Sequence, residues 1–176
     1  MSLHVRAGAS LMLLLALATV SSLRAQSESG LAAGVKAPIV KVNDLDGKPV
    51  DLGQWVGKKP VFLEFWATWC ENCEALLPQI KTAYAMHGKA VEFIAVYVTV
   101  NQNPDRVRRY MAEHGLNYRV LYDDQAASVR AYQAPATSHI VILDPSGPVP
   151  YPACGAPPHF EAALARVAPY AAQPGP

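Results

Sequence analysis

Cys70 and Cys73 stand with only Glu71 and Asn72 between them, directly after the apolar run Val61–Trp66 and at the start of a helix-like pattern. In the first turn of a helix, this spacing puts both sulfurs on one face, where they can close a small disulfide ring. A sulfur at a helix N-terminus meets unpaired backbone N–H groups and the positive end of the helix dipole, and both favour its thiolate. Cys70 is therefore expected to attack. Cys73, one turn inside and sheltered, is expected to resolve the mixed disulfide that Cys70 forms with a substrate. Structural zinc is the alternative use of such a pair, but it needs two further ligands at finger-like spacing. Cys154 with a distant histidine does not supply them. Glu64 adds an acid in the middle of the apolar run. A carboxylate buried without a partner is costly, and such a group responds with a raised pKa. Glu64 either faces water on an edge or lies as a protonatable acid beneath the cysteines, and the second is expected.

The elements that must position these residues follow from periodicity. Val61–Trp66 is too apolar to be half exposed and is bounded by Pro60, so it is expected to be a strand buried on both faces. From Cys73, the residues Leu76, Leu77, Ile80 and Tyr84 recur at helical spacing up to His87 and Gly88. Val91–Val100 is a second buried strand. Asn103 and Pro104 then cap a helix that ends before Gly115, with Arg106, Arg108 and Arg109 on its solvated face. Strand, helix and strand in this order predict a parallel crossover. Tyr118–Tyr122 is a third strand, residues 128–132 a short helix, and His139–Asp144 a fourth strand. A proline-broken edge strand, Val149–Cys154, and a closing helix, His159–Val167, complete the domain. At its start, residues 38–43 and 48–52 read as a hairpin around the turn Asp44–Gly47.

The chain has 176 residues, 51% apolar and 16% charged, with a net charge of +1, which suits one domain with a real core. Neither a basic run nor a charge excess suggests a nucleic-acid or electrostatically bound membrane partner. His4 and Arg6 precede an uncharged run over residues 7–23, and Leu23–Ala25 ends in small-residue fashion. Residues 1–25 are thus expected to be a secretory signal peptide or, if uncleaved, a membrane anchor. Residues 26–34 read as a linker, 35–168 as the domain and 169–176 as a frayed tail. A domain outside the cytoplasm, periplasmic or otherwise exported, sits where disulfides persist. Cys154 is then an extra thiol or a semi-buried spectator.

Phe65–Cys73, followed by Leu77 and Pro78, resembles the active-site segment of thioredoxin-fold proteins, most closely the exported TlpA/ResA-type thiol-disulfide oxidoreductases. The similarity runs from about Val35 to Val167. It implies an α/β fold: a thioredoxin-like three-layer sandwich with a mixed central sheet, helices on both faces and an N-terminal β-hairpin. It also implies that Cys70 is the nucleophile and Cys73 the resolving thiol of a redox-active Cys70–Cys73 disulfide. Trp69 and Pro78 match the family's tryptophan and helix-bending proline, and Glu64 stands at the spacing of thioredoxin's buried acid.

Two departures matter. Leu76 occupies the place of an acid frequent in ResA-type proteins, which leaves acid–base duty to Glu64. Asn72 replaces the usual proline, and Glu71 opposes a thiolate on Cys70, favouring a reducing couple. The family's cis-proline loop, which binds substrate by strand addition, falls on Ala134–Ser138. Pro135 is preferred for the cis position over Ser138, with Ala134 and Thr137 beside them. His139 next to this loop suggests a Cu(I) site with Cys70 and Cys73 as an alternative function. The main expectation is a reductase of disulfides in exported proteins, re-reduced by a membrane electron donor and needing no cofactor. An oxidant or isomerase of the same fold is the other alternative.

Overall fold

The computed structural model describes residues 30–31, 35–148 and 160–168. In chain order the elements are β1 (Lys41–Asn43), β2 (Pro49–Asp51), a 3-10 turn (Leu52–Gln54), β3 (Val61–Trp66), α1 (Glu71–His87), β4 (Glu92–Val98) and α2 (Pro104–His114). They continue with β5 (Arg119–Asp123), α3 (Ala127–Ala131), β6 (His139–Asp144), β7 (Gly147–Pro148) and α4 (Phe160–Val167). The strands make one mixed sheet in the order β2-β1-β5-β4-β3-β6-β7. β3, β4 and β5 are parallel to one another, while β6 runs antiparallel to β3, and β1 antiparallel to both β2 and β5. No helix among the described residues is long and apolar enough to cross a membrane.

β3 lies at the centre because its sequence leaves it no exposed face. Phe62 and Trp66 point into one core with Leu76, Leu77, Ile80 and Ala83 of α1 and with Phe160 and Leu164 of α4. Val61, Leu63 and Phe65 point into a second core on the other side, with Val129 and Ala131 of α3 packed against it. Both sets are buried, which is why the strand reads as an unbroken apolar run rather than an alternation. The parallel partner β4 repeats the device, and its register sets Glu64 beside Ala95.

Helix ends are fixed by local chemistry. The Asn103 side chain accepts from the N–H of Arg106 at 2.9 Å, and Pro104 occupies the first turn of α2. Gly115 closes that helix at φ 61°, a left-handed conformation that a side chain would strain. Asp123 does more than end β5. Its buried carboxylate accepts from the backbone of Ala127, Ser128 and Val129 and from the Ser128 hydroxyl, at 2.6–3.0 Å, and so ties α3 to the sheet. The predicted edge strand over 149–154, with Cys154, and the signal, linker and tail segments lie outside the described residues, apart from Gly30 and Leu31.

Candidate active site

β3 ends at Trp66, and the chain turns tightly, with the Cys70 N–H on the Ala67 carbonyl at 3.1 Å, before α1 begins. Cys70 is the N-cap of α1 in extended conformation, and its Sγ accepts from the N–H of Cys73 at 3.2 Å. The two residues form a disulfide, with Cα atoms 5.2 Å apart, inside the range such bonds require. Exposure hardly separates them, at 8% for Cys70 and 5% for Cys73. What separates them is the helix end. When the bond opens, the charge left on Cys70 Sγ faces the Cys73 N–H that already donates to it and the positive end of a 17-residue helix, whereas Cys73 sits inside the first turn. Glu71 and Glu74 are the acids of that same turn.

Glu64 lies one face of β3 away from water. It is 3% exposed, stands between Ala95 and Ile140, and shares its side of the strand with Phe62 and Trp66, hence with α1 and the cysteines. Burial pushes its carboxyl up to about 8, so it is protonated at neutral pH. Ionised, it would act on two phenols: its charge also raises Tyr118 and Tyr110, beyond what burial alone does to them.

The rim of the site is fastened to the loop after β4. Trp69, 45% exposed, donates its Nε1–H to the Val100 carbonyl at 2.8 Å. The Thr68 hydroxyl meets the Gln102 side chain at 3.0 Å. With its amide nitrogen turned toward the Tyr97 hydroxyl, Gln102 also offers its oxygen to Trp69 Nε1 at 2.9 Å. Gln102 and Tyr97 were not among the residues expected at the site. The sequence signal for Gln102 is the polar run over residues 101–103 after a buried strand, and Tyr97, inside that strand, gives none.

A strand that delivers two cysteines to the start of a helix, with a buried acid on the strand face that this helix covers, matches what comparison with known proteins finds. The family model described as Redoxin matches residues 32–165. The chain belongs to the redoxin family. A curated relative, the thiol-disulfide oxidoreductase ResA of Bacillus subtilis, is 30% identical over 148 residues, which are 84% of this chain and 82% of the relative. ResA of Geobacillus thermodenitrificans is 31% identical over 123 residues, 69% of each chain. Solved structures agree on the fold. A thiol:disulfide interchange protein of the thioredoxin family from Chlorobium tepidum superposes with a TM-score of 0.63 at 22% identity, over 78% of this chain and 99% of that one. A secreted Mycobacterium tuberculosis disulfide oxidoreductase, described as homologous to E. coli DsbE, gives 0.61 at 22% identity, over 72% and 95%. This redoxin therefore carries the dithiol–disulfide centre of a thiol-disulfide oxidoreductase on a thioredoxin-like fold.

Two expectations about the loop before β6 are corrected. Every peptide bond among the described residues is trans, so neither Pro135 nor Ser138 follows a cis bond. The redoxin turns here instead through left-handed conformations at Gln133 (φ 51°) and Ser138 (φ 62°), leaving Pro135 exposed and Ser138 buried. Ala134 packs against the core on the far face and donates its N–H to the Val129 carbonyl; Thr137 is half-buried. The second correction concerns copper. His139 pairs with Phe65 in the antiparallel register, and its ring lies 6.0 Å from that of Phe65, so it belongs with Val141 and Leu143 on the face opposite α1. The sheet separates it from Cys70 and Cys73. Among the described residues, no three of His, Cys, Asp and Glu are grouped as a metal site.

Proposed function

We propose that this thiol-disulfide oxidoreductase works as a reductase of disulfides in exported proteins. The observation that carries the reading is Cys70 at the N-cap of α1, disulfide-bonded to Cys73 and lying on the face of β3 that holds Glu64. In the reduced protein, the Cys70 thiolate attacks one sulfur of a client disulfide. The Cys70–client bond forms, the client S–S bond breaks, and the departing client thiolate takes a proton. Cys73 then gives up its proton, to water or to the minor ionised fraction of Glu64 present near neutral pH, and attacks Cys70 Sγ. The second client thiolate leaves as the Cys70–Cys73 disulfide closes. Two electrons pass from the pair to the client, and a dithiol donor must return them. For an exported protein, an electron donor in the membrane fills that role. No organic cofactor enters any step.

Charge near Cys70 supports this direction. Glu71 and Glu74 stand in the first turn, and no basic residue of that turn offsets them. Negative charge there weakens the thiolate of the reduced form, which makes the pair readier to give electrons. Export accords with the apolar segment at residues 7–23 and with the secreted relative.

Insulin reduction and a redox titration test the reading. Cys70→Ala abolishes turnover, and Cys73→Ala accumulates a mixed disulfide with the client. The Cys70–Cys73 potential falls close to that of thioredoxin, roughly −270 mV. A value close to that of strong oxidants, roughly −120 mV, assigns the protein to disulfide formation instead.

A further inference from the structure

Beside the cysteine turn, a cleft of about 340 Å³ opens between Thr68 and α2, where Arg106, Arg109, Tyr110 and Glu113 line it. Thr68 lies in the turn that leads to Cys70 two residues on, so one wall of the cleft is the turn that carries the cysteines. Positions 106, 109 and 113 recur at helical spacing and form one face of α2, about 10 Å long. Arg106 stands at its start and Glu113 at its end.

The two arginines differ from their neighbours. Arg108 is held by Asp46 and Asp105, and Arg119 by Glu92. Arg106 and Arg109 have no carboxylate within ion-pair distance among the described residues, although Glu113 lies four residues beyond Arg109. Arg106 also acts electrostatically on the Tyr97 hydroxyl, which is bonded to Thr68 and Gln102. Glu113 is the acid that lines the cleft, and the charges of Glu74 and Glu64 are felt by Tyr110 on its wall. Two exposed guanidiniums without carboxylate partners, on a cleft that reaches the turn carrying the cysteines, are suited to a planar anion, because their forked donors match a carboxylate.

We propose that this cleft docks the client segment flanking the disulfide to be reduced, and that it selects clients carrying a carboxylate within a few residues of the reacting cysteine. Arg106 receives that carboxylate, with Arg109 behind it. The inference rests on the reductase reading of the Cys70–Cys73 pair and names its client class.

Three fluorogenic cystine peptides, identical except for Asp, Asn or Lys three residues from the cystine, test it against the wild type, Arg106→Gln/Arg109→Gln and Arg106→Glu/Arg109→Glu. At low ionic strength the wild type reduces the Asp peptide with a kcat/KM about threefold to tenfold above that for the Lys peptide, the range expected of one or two exposed ion pairs. The preference shrinks in high salt. It disappears in the double glutamine variant and inverts in the double glutamate variant, while melting temperatures establish that both variants fold. Equal rates for the three peptides in the wild type, or an Asp preference that survives in the glutamine variant, overturn the docking surface and leave the reductase reading intact. If no peptide is reduced at all, the reductase reading itself falls, and the client class with it.

Discussion

Replacing Glu64 by glutamine keeps the shape of the side chain and removes its ability to ionise, so it isolates what the buried carboxyl does to stability. In the unfolded chain the group ionises with a pKa of 4.5, and in the fold burial raises this to about 8. Below pH 4.5 both states hold the proton, and Glu64 contributes no pH dependence. Between pH 4.5 and about 8 the folded state keeps a proton that the unfolded state has lost, so stability falls as the pH rises, by about 1.4 kcal/mol per unit. Summed from pH 5 to pH 8, the loss is roughly 3–4 kcal/mol, a large part of what holds a domain of this size together. Solvent screening does not reduce it much, because the side chain is 3% exposed. Urea unfolding of the oxidised wild type and of Glu64→Gln, each at several pH values, measures it. All other titrating groups are common to the two proteins, so the difference between the curves reports Glu64 alone. The variant gains on the wild type steadily up to about pH 8. Parallel curves over pH 5–8 would refute the burial of an ionisable carboxyl at this position.

Three further outcomes follow. Glu64→Gln still forms the Cys70–Cys73 disulfide but turns over about tenfold to a hundredfold more slowly near neutral pH, at or below the low end of what a positioned proton-transfer group contributes; a full rate in insulin reduction would remove it from that role. Gln102→Ala loosens the turn that carries Thr68 and Trp69, lowering kcat/KM severalfold and destabilising the fold by about 1 kcal/mol; unchanged kinetics would make the Gln102 contacts incidental. Asp123→Ala leaves three backbone N–H groups and the Ser128 hydroxyl without their acceptor, and costs about 2–4 kcal/mol in urea unfolding; a loss under about 0.5 kcal/mol would mean that α3 is not held this way.

The parts of the molecule legible in the sequence are those where one-dimensional pattern and burial coincide. β3 could be read because both of its faces are covered, and Glu64 stood out because a carboxyl has no ordinary place in such a strand. The N-cap position of Cys70 followed from the helical spacing after it. What could not be read depends on register. His139 adjoins the loop at the cysteine end of the sheet, but alternation along β6 sends its side chain to the other face, and a shift of one residue would have reversed that. Gln102 and Tyr97 come together only because β4 lies beside β3 and the loop after it folds back over Thr68. The turn before β6 uses left-handed residues at Gln133 and Ser138, positions that no proline or glycine marks. Asp123 could be recognised as the end of a strand, but its capping of α3 needs the left-handed Ala126 that brings the helix back to it.

A proton held by Glu64 must also appear in the redox equilibrium. With the cysteines oxidised, the carboxyl titrates at about 8. Reduction exchanges a neutral disulfide for a dithiol, and any negative charge on its sulfurs raises the pKa of a carboxyl on the same face of β3 further. Just above pH 8, therefore, reducing the pair draws a proton onto Glu64 in addition to those taken up by sulfur. For a two-electron couple, each proton taken up steepens the dependence of potential on pH by about 30 mV per unit. The wild-type curve should then run more steeply than that of Glu64→Gln in this window, by up to about 30 mV per unit, and match it well below pH 8. Glutathione-buffered titrations from pH 6 to pH 9.5 resolve a difference of that size. Superimposable slopes would mean that Glu64 and the sulfurs do not sense each other's charge, and the carboxyl would then be a feature of the core with no part in moving protons.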